Sequence, residues 1–243
     1  MRISKFKIFI SVFSIFLLST FYFRFSTFSA SAQTAPQTSS KPEFLISWKT
    51  NSYAPSWYQG KIFPTRGSRV EAAFELIDNG KIVDISKNKA RWYINDKLVL
   101  NEKNGLGIKN YSFRAFDYPG QDIELRIVIV DYKEEQIGGM IIIPIVHSEA
   151  VIDAPYAAAK IFGGAVSSFS AYPFFFNISD FSGLSFQWFV DGRLADSAGQ
   201  PQKLDLNIDS KAPVGFGTNV RLRIANLADE INFANSEIKF NVK

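Results

Sequence analysis

Four aromatic residues early in the chain have the composition of a ligand-binding or partner-binding surface. They are Trp48, Tyr53, Trp57 and Tyr58. Small polar residues separate them, and nearby Pro and Gly favour a loop. Aromatic rings on a loop can stack on sugar rings, and aromatic residues are enriched at protein interfaces. The hypotheses are therefore a carbohydrate-binding surface or a surface that contacts a protein partner. The structural alternative is that the four rings cap the open end of a β-domain.

The other reactive residue types are too few for familiar catalytic sites. The chain has no Cys and one His, His147, which excludes disulfides, thiol catalysis and any site that needs two imidazoles. It contains no Gly-x-Ser-x-Gly motif. Two small β-domains would leave little cleft for the paired carboxylates of a glycosidase. We therefore expect no catalytic residues, no cofactor and no enzymatic activity.

Carboxylate and amide oxygens recur in turn-forming stretches. They belong to Asp78, Asn79, Asn95, Asp96, Asp180, Asp191 and Asp209. Calcium requires about six to eight converging oxygens, and the sequence has no EF-hand spacing. Such residues more often hydrogen-bond within their own turns. We therefore expect no metal site.

The basic charge of the chain belongs to its N-terminus. The net charge is +4, and residues 1–32 hold four cations and no acid. The rest of the chain carries 23 cations and 23 anions. A nucleic-acid-binding protein needs a basic patch on its folded part. We therefore expect no nucleic acid among the partners.

Residues 1–32 have the pattern of a secretory signal. Cations precede an apolar run over residues 8–23, and the segment ends in Ala30-Ser31-Ala32, an A-x-A cleavage site. The run is 16 residues long, close to the roughly 17 that a spanning helix needs. A signal cleaved after Ala32 and an uncleaved membrane anchor both stay open, whereas a buried cytosolic helix is disfavoured. Either favoured alternative places the remainder outside the cytoplasm, in the periplasm or at the cell surface.

One stretch occurs twice and organises the chain. Ala90–Leu98 and Phe186–Leu194 both read Trp, aromatic, β-branched, Asn or Asp, Asp or Gly, cation, Leu. The two tryptophans, Trp92 and Trp188, are 96 positions apart. A mid-domain Trp of this kind packs between the sheets of an Ig-type sandwich. The repeat predicts two tandem β-domains, each with a tryptophan in its core.

Alternating apolar and polar residues predict half-buried strands, for example over 69–77, 123–129 and 220–224. Turn signals recur about every 8–12 residues, which is typical of a β-sandwich of about seven strands. Leu-Arg-Ile occurs at 125–127 and again at 222–224, a spacing of 97 that gives a second anchor for the repeat.

Two apolar or glycine-rich stretches carry more local predictions. The run Phe174-Phe175-Phe176 predicts a strand covered on both faces, and Gly138-Gly139 predicts the turn of a hairpin.

With these pieces assembled, the two copies are similar to the PKD-like and Ig-like β-sandwich modules of bacterial surface proteins. The matching pieces are Trp92–Asp96, Tyr118–Gly120 and Glu124–Asp131 in the first copy, and Trp188–Gly192 and Val220–Asp229 in the second. The Gly-Asp-Gly turn of PKD domains is absent, so Ig-like and PKD-like topologies both stay open. The whole chain also resembles uncharacterised exported proteins of small-genome bacteria, some of them associated with pilus systems. The resemblance implies a spacer, adhesive or assembly role and no catalytic residues.

These observations predict an all-β protein with two tandem Ig-like or PKD-like β-sandwiches after an N-terminal signal or anchor helix. The expected segments are 1–32 (signal or anchor), 33–42 (linker), 43–146 (first sandwich) and 147–243 (second sandwich). The expected function is that of a non-catalytic surface or periplasmic structural or adhesion module. Its partner would be a protein of the cell envelope, such as a pilus or secretion component. The alternative is a carbohydrate-binding protein that uses the Trp48–Tyr58 aromatics. Membrane contact would occur only through residues 8–23, if these are not removed.

Overall fold

A computed structural model describes residues 41–154, 160–197 and 199–243 of the chain. The predicted signal or anchor segment and most of the predicted linker lie outside these residues. Among the described residues, no helix is long and apolar enough to cross a membrane. The chain from Ser40 to Lys243 forms one compact unit, and it contains two separate hydrophobic cores.

The first core lies between two antiparallel sheets built from eight strands. These are β1 (Glu43–Thr50), β2 (Arg69–Asp78), β3 (Lys81–Ile82), β4 (Ala90–Ile94), β5 (Lys97–Leu100), β6 (Asn110–Arg114), β7 (Ile123–Tyr132) and β8 (Glu135–Ile143). In one sheet, β2 pairs with β1 along one edge. Along its other edge β2 pairs with β6 and with the short β3. The other sheet runs β5-β4-β7-β8. In the letters used for Ig domains this is A-B-E facing C′-C-F-G.

The second core has the same plan and differs in its short strands, since it has β10 and has no counterpart of β3 among the described residues. Its strands are β9 (Glu149–Asp153), β10 (Lys160–Ile161), β11 (Val166–Phe174), β12 (Leu184–Val190), β13 (Arg193–Ala195), β14 (Lys203–Asn207), β15 (Gly217–Asn226) and β16 (Asp229–Val242). One sheet runs β14-β11-β9 and the other β10-β16-β15-β12-β13. Here the short β10 pairs in parallel with the last strand, β16. One 3-10 turn, Phe181–Gly183, precedes β12. The predicted all-β fold of two Ig-like sandwiches is confirmed for the described residues, whereas the division of the chain at 146/147 stays a prediction.

The two repeated tryptophans lie at the centres of the two cores. Trp92 on β4 and Trp188 on β12 have almost no exposed surface. The Trp92 indole N–H donates to the Ile108 carbonyl at 3.0 Å, and that of Trp188 donates to the Pro201 carbonyl at 3.0 Å. Each ring thus buries its apolar body between the sheets and satisfies its one donor on the backbone that follows the C′ strand. The predicted structural role of both tryptophans is confirmed.

The sequence match between Leu-Arg-Ile at 125–127 and at 222–224 differs from the structural alignment of the two repeats by two residues. Trp92 pairs with Ile127 across β4 and β7, and Trp188 pairs with Leu222 across β12 and β15. The structural counterpart of Leu222 is therefore Ile127, a spacing of 95 residues, and not Leu125. A shift of two residues keeps every side chain on the same face of a strand, so alternation by itself does not reveal the offset.

The predicted turn at Gly138-Gly139 was wrong. Both glycines lie within β8, and the hairpin turns at Lys133 and Glu134, which both have positive φ. Two such residues fit a primed hairpin turn. Gly139 is instead needed for packing, because a Cβ there would lie 2.5 Å from the Cβ of Phe44. The glycine lets β1 approach the last strand of the opposite sheet.

Glu102 and Arg91 form a two-pronged ion pair on the first sandwich, with N–O distances of 3.0 and 2.7 Å. The hydrogen bond from Arg91 lowers the pKa of Glu102 from 4.5 to about 2. Because the folded pKa is depressed, the stabilisation is present above pH 4.5 and is lost as the pH falls towards 2. We expect Glu102→Gln to remove this part of the acid-induced loss of stability. Urea unfolding between pH 5 and 2 measures it, and identical pH slopes for the two proteins would contradict the assignment.

Candidate functional site

The aromatic stretch lies where the two sandwiches meet. After β1 ends at Thr50, turn-forming residues carry the chain away from the first sheet until β2 begins at Arg69. Tyr53 in this loop forms an isolated antiparallel bridge with Phe176. The Tyr53 N–H donates to the Phe176 carbonyl at 2.7 Å, and the Phe175 N–H donates to the Tyr53 carbonyl at 2.6 Å. We call residues 53–63 the junction loop.

A small hydroxyl network fixes the base of the junction loop. The Ser52 and Ser68 hydroxyl oxygens are 2.9 Å apart, and the Thr65 N–H donates to the Ser68 hydroxyl at 3.1 Å. All three residues are buried. Buried polar groups that are paired in this way hold the backbone in one conformation. The loop therefore starts and ends at a defined position on the first sandwich.

The phenylalanine run of the second sandwich forms the other side of the contact. Phe174 ends β11, and Phe176 points into the second core. Phe175 lies between them with φ of 60°. For a bulky residue this left-handed conformation is unfavourable and must be held by its surroundings. Here the Phe175 N–H bonds to Tyr53, and its carbonyl accepts from the Ser148 hydroxyl at 3.2 Å. The predicted strand therefore ends one residue into the run.

Ring contacts complete the junction. Trp57 packs edge-on against Tyr172 and Phe174, with ring centroids 5.3 and 5.8 Å apart. Tyr58 packs in the same way on Phe174 and Phe175, at 5.4 and 6.0 Å. These edge-to-face distances are the favourable ones for aromatic pairs. Phe174 and Phe175 are consequently buried although they lie outside the second core.

The four sequence-predicted residues do not share one exposed face. Trp48 is only 9% exposed and belongs to the first core, where the Lys61 ammonium lies 3.9 Å from its ring centre. Tyr53 and Tyr58 are half-buried in the junction, and burial raises the pKa of Tyr53. Trp57 is 57% exposed. A ligand-binding role for the set stays a prediction, and Trp57 offers the most accessible ring.

Sequence reasoning did not connect the two halves of this contact. Tyr172, Phe174 and Phe175 were expected only as parts of a buried strand. The available signal was the coincidence of an aromatic loop in one repeat with an unusually aromatic strand end in the other. Neither feature has a counterpart in the other repeat, which is the pattern expected of an asymmetric contact between them.

The turn carboxylates have hydrogen-bond partners or ion pairs within the protein, and Asp191 accepts from the Thr218 hydroxyl and the Asn219 N–H. Asp78 accepts hydrogen bonds from Lys133 and Tyr132, which lower its pKa. Asp96 pairs with Arg126 at 2.9 Å, and Asp180 caps the 3-10 turn. Among the described residues, no group of three or more His, Asp or Glu is placed to hold a metal ion. His147 is exposed two residues before β9 begins.

No known family model matches the chain, and no curated protein is significantly similar to it. Solved structures with similar architecture include the Clostridium thermocellum CbhA fibronectin(III)-like modules (14% identity, TM-score 0.29, covering 81% of this chain and 94% of that one). Another is Bacteroides ovatus SGBP-B in complex with a mixed-linkage heptasaccharide (13%, 0.24, 84% and 47%). A third is a Dscam isoform structure (13%, 0.29, 86% and 47%). These likenesses carry no inference about ligand or partner.

Proposed function

We propose that this chain is an exported, non-catalytic structural or adhesion module that binds a protein partner at the cell envelope through the open edge of its first sandwich. The observation that supports this is the outer edge of β8. Among the described residues, β8 pairs with β7 on one side and with no strand on the other. In the second sandwich, the short β10 covers the equivalent edge only at Asn241 and Val242, the end of β16.

The open edge carries few of the features that usually prevent strand addition. From Glu135 to Ile143 its one charged residue is Glu135, and it contains no Lys, Arg or Pro, which natural proteins often place on exposed edges. Met140 and Ile142 are 55% and 45% exposed on its outer face. An extended segment of a partner would gain backbone hydrogen bonds along β8 and apolar contacts with these side chains. Pilus or secretion components are the partner class that the resemblance of the whole chain favours.

Met140→Lys should lower retention of the envelope partner by about ten-fold, because a desolvated ammonium would oppose an added apolar strand. The measurement is capture from solubilised membranes by the immobilised protein, followed by hydrogen exchange of the β8 amides in the captured complex. Val214→Lys, at a residue 82% exposed in a loop, is the matched control. The proposal would be contradicted if both variants lost partner retention equally, or if the β8 amides in the complex were not protected from hydrogen exchange.

Export is supported by the sequence pattern of residues 1–32. Cell fractionation, with the N-terminal mass of the mature protein, tests it and separates cleavage after Ala32 from retention of the apolar segment. A chain recovered only from the cytoplasm would rule export out.

Carbohydrate binding is the second candidate function, and the exposed Trp57 ring beside Tyr172 favours it. A glycan array probed with the native protein and with Trp57→Ala tests this candidate. Glycan binding that is unchanged by the substitution would show that Trp57 is not part of the binding surface.

A further inference from the structure

The outer face of the second sandwich carries two arginines without carboxylate partners. Arg221 and Arg223 lie two residues apart on β15, so both side chains project from the same face. Their cross-strand neighbours are Phe189 and Gln187 on β12, and Glu237 and Asn235 on β16. This face therefore combines cationic, aromatic and amide groups with one carboxylate, that of Glu237.

Each guanidinium is held against an aromatic ring. Arg221 lies over Phe189 at 4.6 Å from the ring centre, and Arg223 over Phe233 at 4.5 Å. Stacking fixes the guanidinium plane while its N–H groups stay available at the edges. The two donor forks are thus oriented before any ligand arrives.

Neither arginine forms an ion pair with a carboxylate among the described residues. Glu237 is the cross-strand neighbour of Arg221, but its nearest cation is the Lys239 ammonium, at 3.8 Å. The surroundings of these arginines are not generally basic, since residues 147–243 hold eight cations and ten anions. The positive charge is a local feature of this face.

The first sandwich provides an internal comparison. Arg126, which pairs across the strands with Tyr93 and stacks on it at 4.3 Å, is the counterpart of Arg221. Its guanidinium is neutralised by Asp96 at 2.9 Å and approached by Glu124 at 3.9 Å. The same position in the fold is therefore satisfied internally in one repeat and left open in the other.

We propose that Arg221 and Arg223 bind an acidic, extended segment of a protein partner, with Asp or Glu at alternate positions. Two residues on one strand are about 6.6–6.8 Å apart along its axis, so carboxylates at i and i+2 of an extended segment match the two guanidiniums. Each carboxylate would accept two parallel N–H bonds from one arginine. The inference rests on the proposed protein-binding function and adds a contact surface separate from β8.

The test is a calorimetric and NMR titration of the protein with the capped peptide Thr-Glu-Thr-Glu-Thr, at low and high salt. We expect saturable binding with shifts confined to β12, β15 and β16, and at least about ten-fold weaker binding in 0.5 M salt because exposed ion pairs are screened. The Arg221→Gln/Arg223→Gln variant should also bind at least about ten-fold more weakly. Arg126→Gln, the matched control in the first sandwich, should bind as the native protein does.

Other outcomes overturn the inference. The Gln-containing peptide Thr-Gln-Thr-Gln-Thr binding equally well would exclude recognition of carboxylates. Tighter binding of an anionic polysaccharide, polygalacturonate, would exclude a protein segment as the occupant. Met140→Lys should leave peptide binding unchanged. If the peptide fails to bind while envelope capture still depends on Met140, this inference fails and the proposed function stands.

Discussion

Trp92→Ala should lower the free energy of unfolding by about 3–5 kcal/mol. The ring is fully buried between the sheets and packs against Phe74 and Tyr111, with centroids 5.6 and 6.0 Å away. The substitution would leave a large cavity and an unpaired Ile108 carbonyl. The measurement is urea unfolding followed by circular dichroism, with Trp188→Ala as the equivalent change in the second core.

Two controls separate the causes of this loss. Trp92→Phe keeps most of the apolar volume and removes the indole N–H. Loss of this hydrogen bond should lower the free energy of unfolding by about 1 kcal/mol. Trp57→Ala removes the same side chain from a mostly exposed position and should cost far less than Trp92→Ala. Similar losses for Trp57→Ala and Trp92→Ala would contradict the placement of Trp92 at the centre of the core.

The sequence was most informative where one physical requirement dominates. A β-sandwich needs alternating residues and a bulky residue between its sheets, so Trp92 and Trp188 could be assigned to the cores directly. Turn positions were less predictable, because glycine serves two purposes. Gly138 and Gly139 were expected in a turn, whereas Gly139 is required by close packing against Phe44. The actual turn uses Lys133 and Glu134, whose types carry no strong turn signal.

The candidate site was less predictable than the fold because it depends on contacts between distant segments. Sequence reasoning selected the junction loop for its aromatic content. It did not foresee that Tyr53 would bond to Phe176 or that Tyr58 would pack on Phe175. The open arginines were hidden for a similar reason, since Arg126 and Arg221 occupy equivalent positions, but Arg126 forms an ion pair with Asp96 and Arg221 forms none with its cross-strand neighbour Glu237.

Phe175→Ala should cost about 3 kcal/mol and should separate the unfolding of the two sandwiches into two transitions. Phe175 packs against Tyr58 from the junction loop and also against Phe63, with ring centroids 5.8 Å apart. Loss of the ring removes two of the aromatic contacts across the junction, with a free-energy cost in the range measured for buried Phe→Ala changes. Differential scanning calorimetry gives both the loss and the number of transitions. Phe116→Ala, at an exposed phenylalanine, should change the stability by less than about 0.5 kcal/mol.

Phe175→Gly separates the contribution of the ring from that of the backbone. Glycine usually destabilises a β-protein more than alanine does, because it has more conformational freedom to lose. At φ of 60° the order should reverse, since alanine retains the steric cost of the left-handed region and glycine does not. We therefore expect Phe175→Gly to be about 1 kcal/mol more stable than Phe175→Ala. If glycine proved the less stable of the two, Phe175 would not hold a strained backbone, and the junction would depend on its ring contacts alone.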